Sequence, residues 1–187
     1  DVRVPLLLGG RGAAAARAEQ SERENRGHES PEHCGEPTLR QMARPLGLYL
    51  HVPYCASICG YCDFNTYVAA PGDAGPRGHV DSLLAEIDLA ARSLDGDPRE
   101  VSTVFVGGGT PTLLGSAELV RLLRGVRERL PLAVDAEVTT EANPEGVDEA
   151  SLAELRAGGY TRVSIGMQSA APHVLASLER RHTAGAA

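Results

Sequence analysis

The chain contains no lysine; all 18 of its basic residues are arginine. A Walker-type phosphate loop needs a lysine to reach the phosphates, so that use of the chain's glycines is excluded. Nor do the arginines cluster. Residues 1–45 carry seven of them against seven acidic residues, so the net charge of -7 falls entirely after residue 45. The clustered basic footprint of a nucleic-acid binder is absent, and a small neutral or cation-bearing ligand fits better. No apolar run approaches the roughly 18–20 residues of a membrane span, and Pro5-Leu6-Leu7-Leu8 is too short for a signal-peptide core. The chain therefore reads as cytoplasmic. The six histidines are scattered, with no ligand pair at i, i+4 spacing and no Ser-His-Asp arrangement, and no catalytic side chain is assigned.

Of the four cysteines, three sit within eight residues, as Cys55-Ala56-Ser57-Ile58-Cys59-Gly60-Tyr61-Cys62. Three thiolates on one tight loop can hold three corners of a cubane iron–sulfur cluster, whereas a cluster used only for electron transfer normally takes four. The fourth iron is then open to a substrate or cofactor. Zinc held by the three cysteines, with His51 or Cys34 completing the site, is the plain alternative. Structural zinc sites favour ligand pairs from two separated knuckles, and here all three cysteines crowd one loop. A reducing compartment suits closely spaced free thiols, and Cys34, in a polar stretch, reads as a spare thiol.

At 187 residues with 42% hydrophobic content, the chain suits one globular domain. Residues 1–45 mix Gly, Ala, Arg, Glu, Ser and Pro and cannot bury enough surface to offset ordering entropy, so they are expected to form a disordered leader. The folded core is expected over 46–187. Within it, apolar runs at 46–52, 101–106, 133–140 and 161–165 read as strands. Between them, Val80, Leu83, Leu84, Ile87, Ala91 and Leu94 recur at helical spacing. Leu119, Leu122, Leu123, Val126 and Leu130 mark a second helix, with Ser116 as its N-cap. A third helix is expected over 148–157, closed by Gly158-Gly159, and a fourth opens at Pro172. Four βα units imply an α/β fold with a parallel sheet and right-handed crossovers. Chemistry in such sheets collects at the C-terminal strand ends, where the polar and glycine clusters at 53–64, 107–112, 141–144 and 166–169 all fall.

Gly107-Gly108-Gly109-Thr110-Pro111-Thr112 follows the second strand, where glycines let the backbone approach a ligand; a structural turn is the other reading. Thr112 stands where a dinucleotide fingerprint needs its last glycine. Glu141, at the end of the third strand, can accept hydrogen bonds from a ribose diol, or it is a solvated or capping carboxylate. Gln168 and Ser169 are weaker signals for hydroxyl or carboxylate groups.

Taken together, Tyr49-Leu50-His51-Val52-Pro53-Tyr54-Cys55, the C-x3-C-x2-C loop, Gly107-Gly108-Gly109-Thr110-Pro111-Thr112, Thr140-Glu141-Ala142-Asn143-Pro144 and Ser164-Ile165-Gly166-Met167-Gln168-Ser169 resemble the radical S-adenosylmethionine (SAM) superfamily. The likeness is to its branch of oxygen-independent coproporphyrinogen III oxidases and HemW-type heme chaperones. It implies a partial (β/α)6 barrel, here cut short after about four βα units. It also implies a [4Fe-4S] cluster on Cys55, Cys59 and Cys62, with SAM chelated to the fourth iron. Tyr49, Tyr61, Gly108, Gly109, Thr110, Glu141, Gln168 and Arg180 would contact SAM, Glu141 at the ribose and Arg180 at the carboxylate. One electron through such a cluster cleaves SAM to methionine and a 5'-deoxyadenosyl radical. The oxidases of this branch extend the loop to C-x3-C-x2-C-x-C, and this chain has Phe64 at the last position. The resemblance therefore implies a heme chaperone, with heme, a heme-acceptor protein and an electron donor as partners. A porphyrinogen oxidase is the alternative. The chain starts at Asp1 and ends without a finishing element, which reads as a piece of a longer protein.

Overall fold

Leu48, Leu50 and Val52 alternate with Gly47, Tyr49 and His51 along the first strand, and the two sets part to opposite faces, the first buried and the second exposed at Gly47 and half-covered at Tyr49 and His51. The computed structural model describes residues 44–70 and 74–180. The leader expected over 1–45 and Cys34 therefore lie outside the described residues, apart from Arg44 and Pro45. The main strands are β1 (Leu46–Val52), β4 (Val101–Gly108), β5 (Leu132–Ala142) and β6 (Arg162–Ile165); the two-residue strands β2 (Tyr54–Cys55) and β3 (Tyr67–Val68) stand apart. The helices are α1 (Ala74–Ser93), α2 (Ser116–Arg129), α3 (Glu149–Gly158) and α4 (Pro172–Ser177).

The four long strands form one all-parallel sheet in the order β1-β4-β5-β6. Spatial order follows chain order without reversal. With right-handed crossovers, successive helices then fall on one face, the arrangement of a barrel wall rather than of a doubly wound sheet. Val80, Leu83 and Ile87 of α1 and Leu119, Leu122, Leu123 and Val126 of α2 pack against Leu50, Val52, Val104, Val106 and Val138 of the sheet. Each fully buried Leu or Val contributes about 1.5–3 kcal/mol of burial. The opposite face carries the register row Tyr49, Phe105, Thr139 and Arg162. Tyr49 and Phe105 stack there with ring centroids 6.1 Å apart.

The α3 helix begins with a reciprocal capping box, Asp148 accepting from the Ser151 amide and Ser151 Oγ accepting from the Asp148 amide, and closes at left-handed Gly159. Tyr160 follows, its hydroxyl donating to the Leu119 carbonyl at 2.9 Å and fastening the chain to α2 before β6 begins. One expectation is corrected at α2. Its N-cap is Gly115, with φ 85°, and Ser116 is the first helical residue, its hydroxyl turned to the Glu154 carboxylate. Glycine takes the cap because that backbone conformation is one a side chain disfavours.

Candidate functional site

Pro53 ends β1, and the chain turns at once into β2, whose two residues pair in parallel with β3, Tyr54 with Tyr67 and Cys55 with Val68. The ladder continues through the Tyr67 amide to the Pro53 carbonyl at 2.7 Å and the Ala69 amide to the Cys55 carbonyl at 2.9 Å. Residues 56–66 are thereby pinched into a loop holding Cys59 and Cys62, with Cys55 at its neck. On the helix side His79 is buried and donates Nε2–H to the His51 carbonyl at 2.8 Å, with the Tyr54 ring edge-on at 5.3 Å. Burial holds the His79 imidazolium below its usual range, against the opposing effect of that carbonyl, and the nearby His51 lowers it further.

The end of β4 closes on the same loop. The Gly109 amide donates to the Val52 carbonyl and the Thr110 amide to the Tyr54 carbonyl, both at 2.7 Å. A Cβ on Gly109 would lie 2.5 Å from the Tyr54 carbonyl oxygen and 3.0 Å from Cys55 Sγ. At Gly108, φ is 120° and a Cβ would meet the His51 ring at 2.5 Å. The protein's own packing thus requires both glycines, and the backbone passes directly beside the Cys55 sulfur.

A cleft of about 370 Å³ opens at the C-terminal ends of the four strands. Cys55, Cys59, Cys62, Tyr61, Gly108, Gly109, Thr110, Glu141, Gln168 and Arg180 all line it. Ten of the eleven residues that the resemblance assigns to the cluster or SAM therefore converge, whereas Ser169 does not line the cleft. The eleventh, Tyr49, stays on the open face of β1, donating or accepting with His51 Nδ1 at 2.9 Å. Burial raises its phenol and the Glu141 charge raises it further. His51 does not line the cleft, and among the described residues no three His, Cys, Asp or Glu side chains converge on one metal-ion position.

Polar contacts order the cleft. Glu141 Oε2 accepts from the Gly108 amide at 2.9 Å. Thr110 Oγ1 donates to Cys55 Sγ at 3.7 Å, and Arg180 Nη1 donates to Cys59 Sγ at 3.4 Å. Burial pushes the Cys55 thiol up; the Thr110 hydroxyl pulls it down, as does Thr66, while Cys62 and Cys59 push it up. The sulfurs of Cys59 and Cys62 are thus electrostatic neighbours of Cys55. Tyr61 is raised by burial, lowered by Arg180 and raised by Cys59 and Cys62. Arg180 reaches the cysteine loop because the chain after α4 docks there, the Gly60 amide donating to the Leu178 carbonyl at 3.3 Å. Gln168 turns into the cleft through left-handed backbone, φ 57°.

Sequence reasoning assigned no role to Asn143. It lines the cleft, its Oδ1 accepting from Arg180 Nη2 at 2.6 Å and its Nδ2 donating to Thr110 Oγ1 at 3.3 Å. The only signal was its presence in Thr140-Glu141-Ala142-Asn143-Pro144.

The family model described as the radical SAM superfamily matches residues 49–186. The chain belongs to this superfamily. Heme chaperone HemW of Mycobacterium tuberculosis is 55% identical over 153 residues, which cover 81% of this chain and 39% of that protein. HemW of Escherichia coli K12 is 45% identical over 138 residues, covering 74% of this chain and 36% of that protein. Among solved structures, coproporphyrinogen III oxidase (HemN) of Escherichia coli, titled a radical SAM enzyme, is similar with a TM-score of 0.67 and 34% identity. That likeness covers 75% of this chain and 32% of the oxidase. The chain is thus of the HemW/HemN-like type and spans less than half the length of these relatives. Membership implies an iron–sulfur cluster and SAM. The parallel four-stranded sheet is the wall expected of a radical SAM barrel, and no helix among the described residues is long and apolar enough to cross a membrane.

Proposed function

We propose that this chain is the cluster-bearing part of a heme chaperone-like radical SAM protein, with a [4Fe-4S] cluster on Cys55, Cys59 and Cys62 and SAM in the adjoining cleft. The carrying observation is the convergence of the three cysteines, the β4 glycines, Glu141, Gln168 and Arg180 on one cleft at the strand ends.

The donor set fits a cubane. In such a cluster three irons would each take one thiolate and the fourth would stay open, so three cysteines lining one cleft suit it. Hydrogen-bond donors from Thr110 and Arg180 are aimed at two of the sulfurs, as thiolates require. When bound, a reduced cluster of this kind supplies the electron that splits SAM into methionine and a 5'-deoxyadenosyl radical. The chain's own residues bind and orient. The Gly108–Thr110 backbone would receive the methionine amino end, and Glu141 would take the ribose hydroxyls on the oxygen that the Gly108 amide does not occupy. Gln168 adds a polar contact, and Tyr61 borders the adenine with its backbone. Arg180, whose guanidinium donates to Cys59 Sγ, Asn143 Oδ1 and the Gly166 carbonyl at the edge of the cleft, would set its positive charge near the cofactor's carboxylate. Tyr49 does not line the cleft; the Glu141 charge reaches its phenol and raises it.

The delivery reading is favoured over porphyrinogen oxidation by two observations. Phe64 stands where the oxidases carry a further loop cysteine, and identity to the chaperones reaches 55% against 39% to an oxygen-independent coproporphyrinogen III oxidase. Heme is then cargo, passed to an acceptor protein, and the reduced thiols suit a cytoplasmic setting. Anaerobically loaded protein should take up heme in stoichiometric amounts, followed by its Soret absorbance, and yield it to an apo-acceptor. Decarboxylated products from coproporphyrinogen III, with no heme uptake, would reverse the assignment.

A further inference from the structure

Asn143 joins two hydrogen bonds that end on different cysteines. The path runs from Cys59 Sγ to Arg180 Nη1 at 3.4 Å, from Arg180 Nη2 to Asn143 Oδ1 at 2.6 Å, from Asn143 Nδ2 to Thr110 Oγ1 at 3.3 Å, and from Thr110 Oγ1 to Cys55 Sγ at 3.7 Å. Its polarity is dictated by chemistry. A guanidinium has no acceptor, so the Asn143 atom facing Arg180 must be the carbonyl oxygen, and the amide nitrogen faces Thr110. Thr110 Oγ1 then accepts from Asn143, which leaves its own hydrogen directed at Cys55. Both ends of the relay therefore donate to sulfur.

We infer that Asn143 is a positioning residue that sets the reduction potential of the cluster by holding Thr110 on the Cys55 sulfur and Arg180 on the Cys59 sulfur. The inference rests on the cluster reading above and goes beyond it, since Asn143 itself contacts no sulfur. Hydrogen bonds to ligand sulfurs draw off negative charge and stabilise the reduced cluster, raising its potential. Asn143 suits this task because one short side chain supplies both an acceptor for Arg180 and a donor for Thr110. Its side chain makes no cap contact in the 3-10 turn that follows at Pro144–Gly146, so its polar atoms serve the cleft. Arg180 retains the Gly166 carbonyl as a second anchor, so loss of Asn143 loosens the guanidinium without releasing it.

The test is an anaerobic redox titration of the loaded chain, monitored by electron paramagnetic resonance (EPR), with iron, sulfide and melting temperature measured on the same samples. Asn143→Ala should keep parental iron and sulfide while its midpoint shifts to a more negative value, by about a tenfold change in the one-electron equilibrium, or ~59 mV. The near-isosteric Asn143→Leu should shift the same way, which guards against a misfolded alanine variant. Thr110→Val should also shift the midpoint negatively, and the double variant should shift less than the sum, because the two act through one chain of bonds. A parental midpoint in both loaded Asn143 variants, or strictly additive shifts, would overturn the inference alone. A parent that takes up no iron and sulfide would overturn the cluster reading and this inference with it.

Discussion

The backbone N–H of Gly108 donates to Glu141 Oε2 across 2.9 Å, so one carboxylate both ties the end of β4 to the end of β5 and lines the cleft. In the proposed site its two oxygens would divide a structural duty from a binding duty. Glu141→Gln keeps an acceptor for the Gly108 amide and should melt close to the parent. Glu141→Ala removes both, and SAM affinity of the loaded protein should fall about 10–100-fold, the worth of a hydrogen bond to a charged group. Equilibrium dialysis with radiolabelled SAM measures it, and parental affinity in Glu141→Ala would remove this residue from the ribose role.

Gly109→Ala forces a Cβ to within 2.5 Å of the Tyr54 carbonyl oxygen and against Cys55 Sγ. Backbone at the neck of the cysteine loop must shift to admit it. Stability should fall by about 1–3 kcal/mol. Iron uptake on reconstitution should fall with it, because the displaced atoms adjoin the proposed ligand Cys55. Iron and sulfide assays beside a urea melt check both parts.

Burial holds the His79 imidazolium below its usual range and so favours the neutral ring in the folded protein. Its folded pKa lies under the unfolded value, so the unfolded chain binds the extra proton first as pH falls. Stability from this group is complete above about pH 6.5 and is lost progressively below it, by at most about 1.4 kcal/mol per pH unit. His79→Gln keeps an N–H for the His51 carbonyl and cannot titrate. Between pH 7.5 and 5.5, the parent should therefore lose more thermal stability than His79→Gln, and parallel profiles would count against a buried neutral His79.

Tyr160→Phe deletes the hydroxyl that donates to the Leu119 carbonyl and leaves the ring in place. The expected cost is about 1 kcal/mol, or roughly 2–4 °C in melting temperature. The cleft is remote in chain and contact from this bond, so cluster content should not change. Calorimetry of the two proteins decides it.

The four βα units were legible because their signals are periodic. Val80, Leu83 and Ile87 share one helical face, and Leu48, Leu50 and Val52 one strand face, with Gly158-Gly159 stopping α3 where expected. The β2–β3 ladder was not legible, since two-residue strands carry no period and pair across an eleven-residue loop. The Ser116 cap failed because propensity favours serine while the local φ of 85° at Gly115 favours glycine. Within the cleft, the cysteines and the strand-end clusters were readable from spacing and position. Asn143 was not, because its partners lie 33 residues before it and 37 after it, and no local pattern records contacts of that kind.

The central claim is that Cys55, Cys59 and Cys62 hold a cluster with one iron open to SAM. Anaerobic reconstitution with iron and sulfide, followed by EPR of the reduced protein with and without SAM, addresses it directly. A [4Fe-4S] signal that shifts on adding SAM and is lost in Cys55→Ala is the expected result. Absence of a cluster in the parent, or a signal indifferent to SAM, would contradict the account.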